Sequence, residues 1–499
     1  MTSQADVVVV GGGPTGLMAA CELALVGIRV TVLERRVDRV PQSRALTLHP
    51  RSLEIFALRG IADRFISQGM RVPTGHYAML DTRLDFSALD TSYPFTLFLP
   101  QTTTERLLEA YALELGVDVR RGHHVQTLEQ HEDSVRVSVT PNTGSPYILC
   151  SAYVIGADGA RSVVRREAGI AFLGMETNST FYMGDVALAA PPSAEMSVVR
   201  NEAGSVTIVP LDQVYYRVIC NDPSRLSVSV TEPVTLEELE AGVRRIFGRD
   251  IGMTRPRWLS RFGNETRLAS CYRRGRVFLA GDAAHIHMPA GGQGLNVGLQ
   301  DAMNLGWKLG GVLRGFASVD LLDSYDRERR PVGAALLENT LAQTHLMTTF
   351  NREGFALRET MNRLLHLPAV NRQLAEDLAA FSVSYPHPIF SDHPVDGILH
   401  GVGCRLANAD LQVQGQQRSL YGLFHQGQWV HLQFSSHAVS STPRGLDPRW
   451  IESVRAVPLS SSPLFAWETV LVRPDGHIAS ATPRMPGVEC GFNPSMQHL

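Results

Sequence analysis

The stretch Asp6–Glu34, DVVVVGGGPTGLMAACELALVGIRVTVLE, is apolar at every position from Val7 to Val10. A strand buried on both faces has this texture, whereas a strand with one wet face alternates. Glycines break the run, a helical pattern follows, and a second apolar run, VTVLE, closes the stretch within about 30 residues, the size of a βαβ unit. The buried-strand texture returns in AYVIGADG and RVFLAGD. Helices are predicted at SLEIFALRGIADRFISQG and TTTERLLEAYALELG, with short strands around HVQTLEQ and SVRVSVT.

From about Phe181 to Val230 the pattern changes. FYMGDVALA, SVTIVPL, YYRVIC and RLSVSV are short strand-like runs between turn residues, which predicts an antiparallel sheet. TLEELEAGVRRIFG then reads as a helix, with Thr235 and Glu238 at capping-box spacing. RVFLAGD runs into GDAAHIHMPAGGQGLN (Gly281–Asn296) and the helix pattern LQDAMNLGWKLGGVL, and helices continue to about Phe381. After SYPHPIFSDHPVDG a smaller αβ segment begins near Gly401. Its strands are WVHLQF and WETVLVRPDGHIAS, with a hairpin turn at Pro474–Gly476.

A length of 499 residues suggests about three domains. Lys and Arg total 46 against 49 Asp and Glu, which argues against a nucleic-acid surface. The six cysteines, Cys21, Cys150, Cys220, Cys271, Cys404 and Cys490, form no CxxC pair, so free thiols in a reducing cytosol are expected. The first residues lack a basic signal-peptide region, and no apolar run approaches the roughly 20 residues of a membrane helix. A soluble cytoplasmic protein without a membrane partner is the expectation.

Gly11, Gly13 and Gly16 satisfy G-x-G-x-x-G between a strand and a helix. The first allows the tight turn, the second lets a pyrophosphate approach, and the third lets helix and strand pack closely. Glu34, ending the second strand, is placed to accept hydrogen bonds from ribose hydroxyls. GADGARSVVR, Gly156–Arg165, taken alone fits a plain turn into a helix. The Gly281–Asn296 stretch demands more: Asp282 can accept from sugar-like hydroxyls, and the glycines from Gly291 to Gly294 let backbone N–H groups meet a flat polar ring or a pyrophosphate. His285 and His287 form an H-x-H, but no third ligand is apparent and no metal is expected. In YDRERRP, Asp323–Arg327 and Asp326–Arg330 have the spacing of helix-surface ion pairs. Phe95, Phe98, Tyr182, Tyr215 and Tyr216 are candidates to line an aromatic pocket, each alone equally suited to core packing.

These three motifs in this order resemble those of FAD-dependent aromatic hydroxylases, the single-component flavoprotein monooxygenases of the p-hydroxybenzoate hydroxylase type. AHIHMPAGGQGLN and RPDGHIA are similar to the subgroup that hydroxylates aromatic polyketides, and to phenol and rifampicin hydroxylases. The resemblance covers nearly the whole chain. It implies an α/β fold: a Rossmann-like FAD-binding domain from 1–175 and 270–395, an inserted antiparallel β-sheet substrate domain from 176–269 with about 73–100, and a thioredoxin-like C-terminal domain from 396–499 lacking CxxC.

It further implies that Gly11, Gly13, Pro14, Thr15 and Gly16, with Glu34 and Arg35, hold the ADP half of FAD. Arg44 would contact the flavin side or the pyrophosphate, Gln101 the ribityl chain, and the Val125 backbone the adenine. Asp158 would serve both FAD and the passing nicotinamide, and Gly281 and Asp282 the ribityl chain. Pro289, Gly291, Gly292, Gln293 and Gly294 would line the ring, with the N–H groups around Leu295 and Asn296 facing its C2 carbonyl. Pro289 would also touch substrate.

The implied activity is hydroxylation of a phenolic or polycyclic aromatic, of polyketide type, through a flavin hydroperoxide. FAD is the cofactor, NADPH or NADH a transient co-substrate, and O2 the oxidant. No second G-x-G-x-x-G offers a separate nicotinamide domain, and the CxxC of disulfide reductases and the tryptophan signature of flavin halogenases are absent. Baeyer–Villiger or dehydrogenation chemistry on the same scaffold, or flavin binding without turnover, are the alternatives. No side chain is assigned as general base, and monomer and homodimer both stay open.

Overall fold

A computed structural model describes residues 5–39, 45–192, 196–385, 401–434, 446–458 and 463–484. Among them ten α-helices follow in chain order: α1 (Pro14–Leu25), α2 (Pro50–Ala57), α3 (Ala62–Ile66), α4 (Gln101–Glu114), α5 (Val163–Glu167), α6 (Leu236–Phe247), α7 (Gly294–Leu313), α8 (Asp323–Thr348), α9 (Arg352–Leu364) and α10 (Pro368–Ala379). The stretch expected as one helix around 52–69 is two, α2 and α3, because Gly60 turns the chain between them in the left-handed region (φ 70°).

The apolar runs meet in one sheet of mixed direction. Its order is Arg273–Arg274, Val277–Leu279, Tyr153–Gly156, Val7–Val10, Val30–Glu34 and Asp118–Arg121, parallel except at the first pair. All four residues of Val7–Val10 are buried, as a strand covered on both faces requires. The long helix α7 lies against α1, so its first turn arrives beside the turn that opens α1.

A five-stranded antiparallel sheet, in the order Ser197–Asn201, Gly204–Pro210, Tyr215–Asn221, Thr180–Leu188 and Met253–Gly263, is a second unit. One face carries Tyr182, Val186, Val206, Ile208, Val218 and Cys220 against Leu239, Val243 and Ile246 of α6, a separate small core. RLSVSV, expected as a strand, is a 3-10 turn and loop beside this sheet. The strands between 73 and 100 do not join it. Thr96–Phe98 pairs with Thr47–Leu48 and Met70–Val72, and residues 78–89 pack under α8 to α10 through Phe86, Leu346 and Leu378.

The C-terminal residues carry a four-stranded sheet, ordered Ile451–Arg455, Trp429–Gln433, Trp467–Val472 and Ile478–Pro483, with the first pair parallel. It docks on α7 through Trp307, Trp429 and Trp450, whose rings pack edge-on and tilted at 5.4 and 5.9 Å from Trp307. Cys21, Cys150, Cys220, Cys271 and Cys404 are free thiols, and Cys490 lies outside the described residues. Among the described residues no helix is long and apolar enough to cross a membrane.

Candidate functional site

The turn from Val10 into α1 is built by close backbone approach. Gly11 has φ 111°, and a methyl group on it would run into the Ala157 carbonyl; one on Gly16 would run into the Gly11 carbonyl. Gly13 differs, because no heavy atom beyond its chain neighbours lies within 4 Å of where its Cβ would be. Pro14 takes a first-turn position that needs no N–H, and α1 begins with neither a side-chain cap nor an acidic residue. Its unpaired N–H groups and the positive end of its dipole therefore face the open space at Gly13. Glu34 closes the other side. One carboxylate oxygen accepts from the Gly12 amide at 2.8 Å and the other from the Arg36 amide at 2.9 Å, beside the exposed Arg35. Val125 is buried on the strand His123–Gln130, its backbone paired with Val139.

The Gly281–Asn296 loop enters as a short 3-10 turn with Asp282 exposed, passes the exposed Pro289, and makes a second short turn with Gly291 and Gly292 left-handed. Helix α7 starts at Gly294, again without a side-chain cap or an acidic first turn. The loop touches the turn of α1, since a Cβ on Gly281 would sit 2.7 Å from the Thr15 hydroxyl. It is also pinned to the residues before α2. Asn296 Oδ1 accepts from the His49 amide (2.8 Å) and the Ser52 hydroxyl (2.7 Å), while its Nδ2 donates to the Thr47 and Gly292 carbonyls. His49 Nε2 donates to the Gly291 carbonyl at 2.8 Å, which leaves Nδ1 to accept from the Thr96 hydroxyl. Burial lowers the His49 pKa to about 4, so this neutral tautomer persists at neutral pH.

Several expected side chains are engaged elsewhere. Asn296 and Gln293 have their side chains inside the protein, the latter on the Ala290 carbonyl and Asn339, so any contact they make with a bound ring is through backbone N–H. Asp158 caps α5, accepting from the Ser162 hydroxyl and the Val163 and Val164 amides, and its burial raises its pKa. Gln101 accepts from the Ala45 amide and donates to Glu105. Arg44 lies outside the described residues.

The sequence reading missed two residues that organise the loop. Asp301, fully buried on α7, accepts from the Gly281 amide (3.1 Å) and from His285 Nε2 (2.8 Å) with one oxygen, and from Arg329 Nε (2.7 Å) with the other. Arg329 also donates to the Val297 carbonyl at 3.2 Å, so it holds both ends of the loop. Burial works against the Asp301 charge, but Arg329 and His285 outweigh it and lower the pKa. The available signal was an acid inside the apolar pattern LQDAMNLGW. In YDRERRP, Asp326–Arg330 is the expected surface pair at 3.4 Å, but Asp323 pairs with Arg273, and Glu328 and Arg329 point inward. Burial and the neighbouring His285 lower the His287 pKa to about 4, and its Nδ1 donates to the Met288 carbonyl. Neither histidine belongs to a group of metal-ligating residues among the described ones.

The aromatic candidates do not gather on one face. Tyr182 is buried against α6 with its hydroxyl on Asp222 at 3.0 Å, and Tyr216 packs on the same side. Tyr215 stacks under Arg257 (3.3 Å). Phe95 lies in the main core beside Tyr93, and Phe98 is on the strand between Thr47–Leu48 and Met70–Val72. For the sheet tyrosines the reason is the two-residue period of a strand: Tyr182 and Tyr216 face α6, so Phe181 and Tyr215 face the other way. Phe181 stacks on Phe262 (5.3 Å), and with Met347 they cover Met288 and Ala290 of the loop. The same face carries the buried pair Asp185–Arg217 at 2.8 Å, with Trp258 over the guanidinium.

Two uncapped helix N-termini, open backbone at Gly13 and a carboxylate at the end of the second strand are the donor and acceptor set a dinucleotide needs. A loop with an apolar wall on its far side adds the place for a flat ring. FAD fits this site.

Comparison with known proteins agrees. Residues 4–340 match a family described as FAD binding domain, and residues 400–497 one described as aromatic-ring hydroxylase, C-terminal. The chain is 46% identical over 483 residues, 96% of its length and 95% of the relative's, to the uncharacterised aromatic compound monooxygenase YhjG of Bacillus subtilis. It is 41% identical over 485 residues, 95% of this chain and 94% of the other, to the 12-dehydrotetracycline 5-monooxygenase/anhydrotetracycline 6-monooxygenase of Streptomyces rimosus. The structure of the OxyS anhydrotetracycline hydroxylase from Streptomyces rimosus superposes with a TM-score of 0.87 at 39% identity, covering 96% of each chain.

Proposed function

Because the chain belongs to the FAD-dependent aromatic-ring hydroxylases, we propose that it inserts one oxygen atom of O2 into a phenolic, polycyclic aromatic substrate of polyketide type, using NADPH or NADH. Relatives that act on tetracycline skeletons over nearly their whole length support the substrate class. One observation carries the reading: α1 and α7 bring two uncapped N-termini to one space, and the loop between them has an apolar wall of Phe181, Phe262 and Met347 opposite it. We read the units as a Rossmann-like cofactor domain, an inserted substrate sheet and a thioredoxin-like C-terminal domain. The C-terminal parallel pair followed by an antiparallel hairpin supports the last of these.

Gly11, Gly13, Gly16 and Glu34 would hold the ADP half, and Asp282, Pro289, Gly291 to Gly294 and the first turn of α7 the ribityl chain and ring. When bound, FAD supplies hydride acceptance, O2 activation and transfer of one oxygen atom to an electron-rich carbon. The positive end of α7 favours the negative charge of a reduced ring. Phe181, Phe262, Met288 and Met347 keep water from the reacting atoms, which limits loss of the oxidant as peroxide.

The test is aerobic NADPH and NADH consumption by the FAD-loaded protein against phenols, naphthoquinones and tetracyclic polyketides, with product masses recorded. Faster consumption and a product heavier by one oxygen are expected, and the product's connectivity separates hydroxylation from Baeyer–Villiger insertion. Bound FAD that neither nicotinamide bleaches would overturn the enzymatic reading and leave a flavin-binding module.

A further inference from the structure

The C-terminal motif RPDGHIA is exposed-looking in sequence, a charged hairpin turn, yet Arg473, Asp475 and His477 are all buried. Arg473 donates to both oxygens of Glu328 (2.9 Å each) and to Asp475 (2.6 and 3.1 Å). Glu328 in turn accepts from Lys308 and Asn304 of α7, and Asp475 from the Trp307 indole N–H at 3.0 Å. The next residue on α8 after Glu328 is Arg329, which holds Asp301, the Val297 carbonyl and, at 2.9 Å, the Tyr385 hydroxyl. Tyr385 closes the circuit: its ring lies 4.5 Å from that of His477 and 4.8 Å from the Arg473 guanidinium.

We propose that the C-terminal hairpin Arg473–Ile478 positions the flavin-binding loop, by fixing Glu328 and Tyr385 and through them Arg329 and Asp301. Two consecutive residues of one helix face opposite clients, the hairpin and the loop. Every charged member of the path is nearly or fully buried. A buried guanidinium or carboxylate cannot shift to water, and loss of one partner leaves an uncompensated charge, so the geometry at one end constrains the other. The Gly281 amide at the end of this path is the residue before Asp282, where the ribityl chain would bind. The C-terminal domain thereby acts in cofactor binding without supplying a ligand to the cofactor. This inference rests on the reading that FAD lies on the Gly281–Asn296 loop.

Tyr385→Phe removes the hydroxyl that Arg329 reaches and keeps the ring; Trp307→Phe removes the indole donor to Asp475 and keeps an aromatic. Both are made in the full chain, with Thr235→Ala in the distant α6 as a control for general destabilisation. FAD affinity is measured by flavin fluorescence, and amide exchange is measured in the cofactor-free protein. In Tyr385→Phe and Trp307→Phe the FAD dissociation constant is expected to rise about three- to tenfold, since part of a charge-assisted hydrogen bond is transmitted to the loop. The segment 277–297 should exchange at least about threefold faster while the inserted sheet is unchanged. Thr235→Ala should leave that segment as in the wild type. Unchanged loop exchange and affinity in both aromatic variants would overturn the proposal, as would acceleration spread evenly over the chain. A wild-type protein that fails to bind FAD would overturn the functional reading, and the exchange of the cofactor-free protein would still decide whether hairpin and loop are coupled.

Discussion

Gly13 and Gly16 sit three residues apart in one turn and meet different demands. Gly16 packs its Cα against the Gly11 carbonyl, so Gly16→Ala forces strand and helix apart, and it should cost about 2–3 kcal/mol in urea unfolding of the cofactor-free protein. Gly13 has φ −79°, ordinary for alanine, and nothing near its Cβ position. Gly13→Ala should therefore keep the melting temperature of the cofactor-free protein within about 3 °C of wild type, while flavin fluorescence shows FAD affinity falling at least about tenfold. If Gly13→Ala binds FAD normally, the pyrophosphate does not lie there. Asn296 illustrates the opposite arrangement, a site residue whose side chain works entirely inward, on His49, Ser52, Thr47 and Gly292.

Helix α6 shows what carries a single element. Its buried positions Leu239, Gly242, Val243 and Ile246 make one stripe, and the Thr235 hydroxyl caps its start by accepting from the Glu238 amide at 3.1 Å. Only half of the expected capping box forms, because the Glu238 carboxylate is drawn to Arg225 and Arg261. Thr235→Ala should cost about 1 kcal/mol in urea unfolding. Gly242 is glycine because a methyl there would strike the Tyr182 hydroxyl. Gly242→Ala should cost about 1–2 kcal/mol despite alanine's better helix propensity. Combined with Tyr182→Phe it should be more stable than the sum of the two single changes by about 1 kcal/mol, a coupling that a double-mutant cycle reads directly.

Acid stability belongs to the assembled chain, since its titrating groups come from every part of it. His49, His76, His287 and His477 have pKa values lowered to about 4, burial being the largest cause for each. In the unfolded chain they titrate near 6.5. Between pH 6.5 and 4 the unfolded state binds protons that the folded state does not, so stability falls as pH drops through that window and is nearly level above it. Glu328 adds to this lower down. Burial would raise its pKa, but Arg473 and Lys308 hold it at about 2, so its contribution is present above about pH 4.5 and is lost as pH falls toward 2. The urea midpoint of the cofactor-free protein should fall only slightly from pH 8 to 7 and steeply from 6.5 to 4.5. His76→Gln should flatten the slope by about a quarter, one of four comparable groups. A midpoint independent of pH in that range would mean these rings are solvated.

The residues that could be read from sequence are those whose physical cause lies within a few positions of themselves. The all-apolar strand Val7–Val10, the glycine turn before α1, the carboxylate of Glu34, the cap of α6 and the hairpin at Pro474–Gly476 each follow from side-chain size, local hydrogen bonding or backbone freedom. Those signals sufficed for the cofactor motifs and the family resemblance. Which face of a strand meets the site was not readable, because period two leaves two choices until the sheet is docked; α6 took Tyr182, and Phe181 went to the loop. Nor was the inward turn of Glu328 and Arg329, whose partners Arg473 and Asp301 lie 145 and 28 residues away. Charged residues at helical spacing belong on a wet surface unless something buried neutralises them, and only the tertiary structure brings that partner into place.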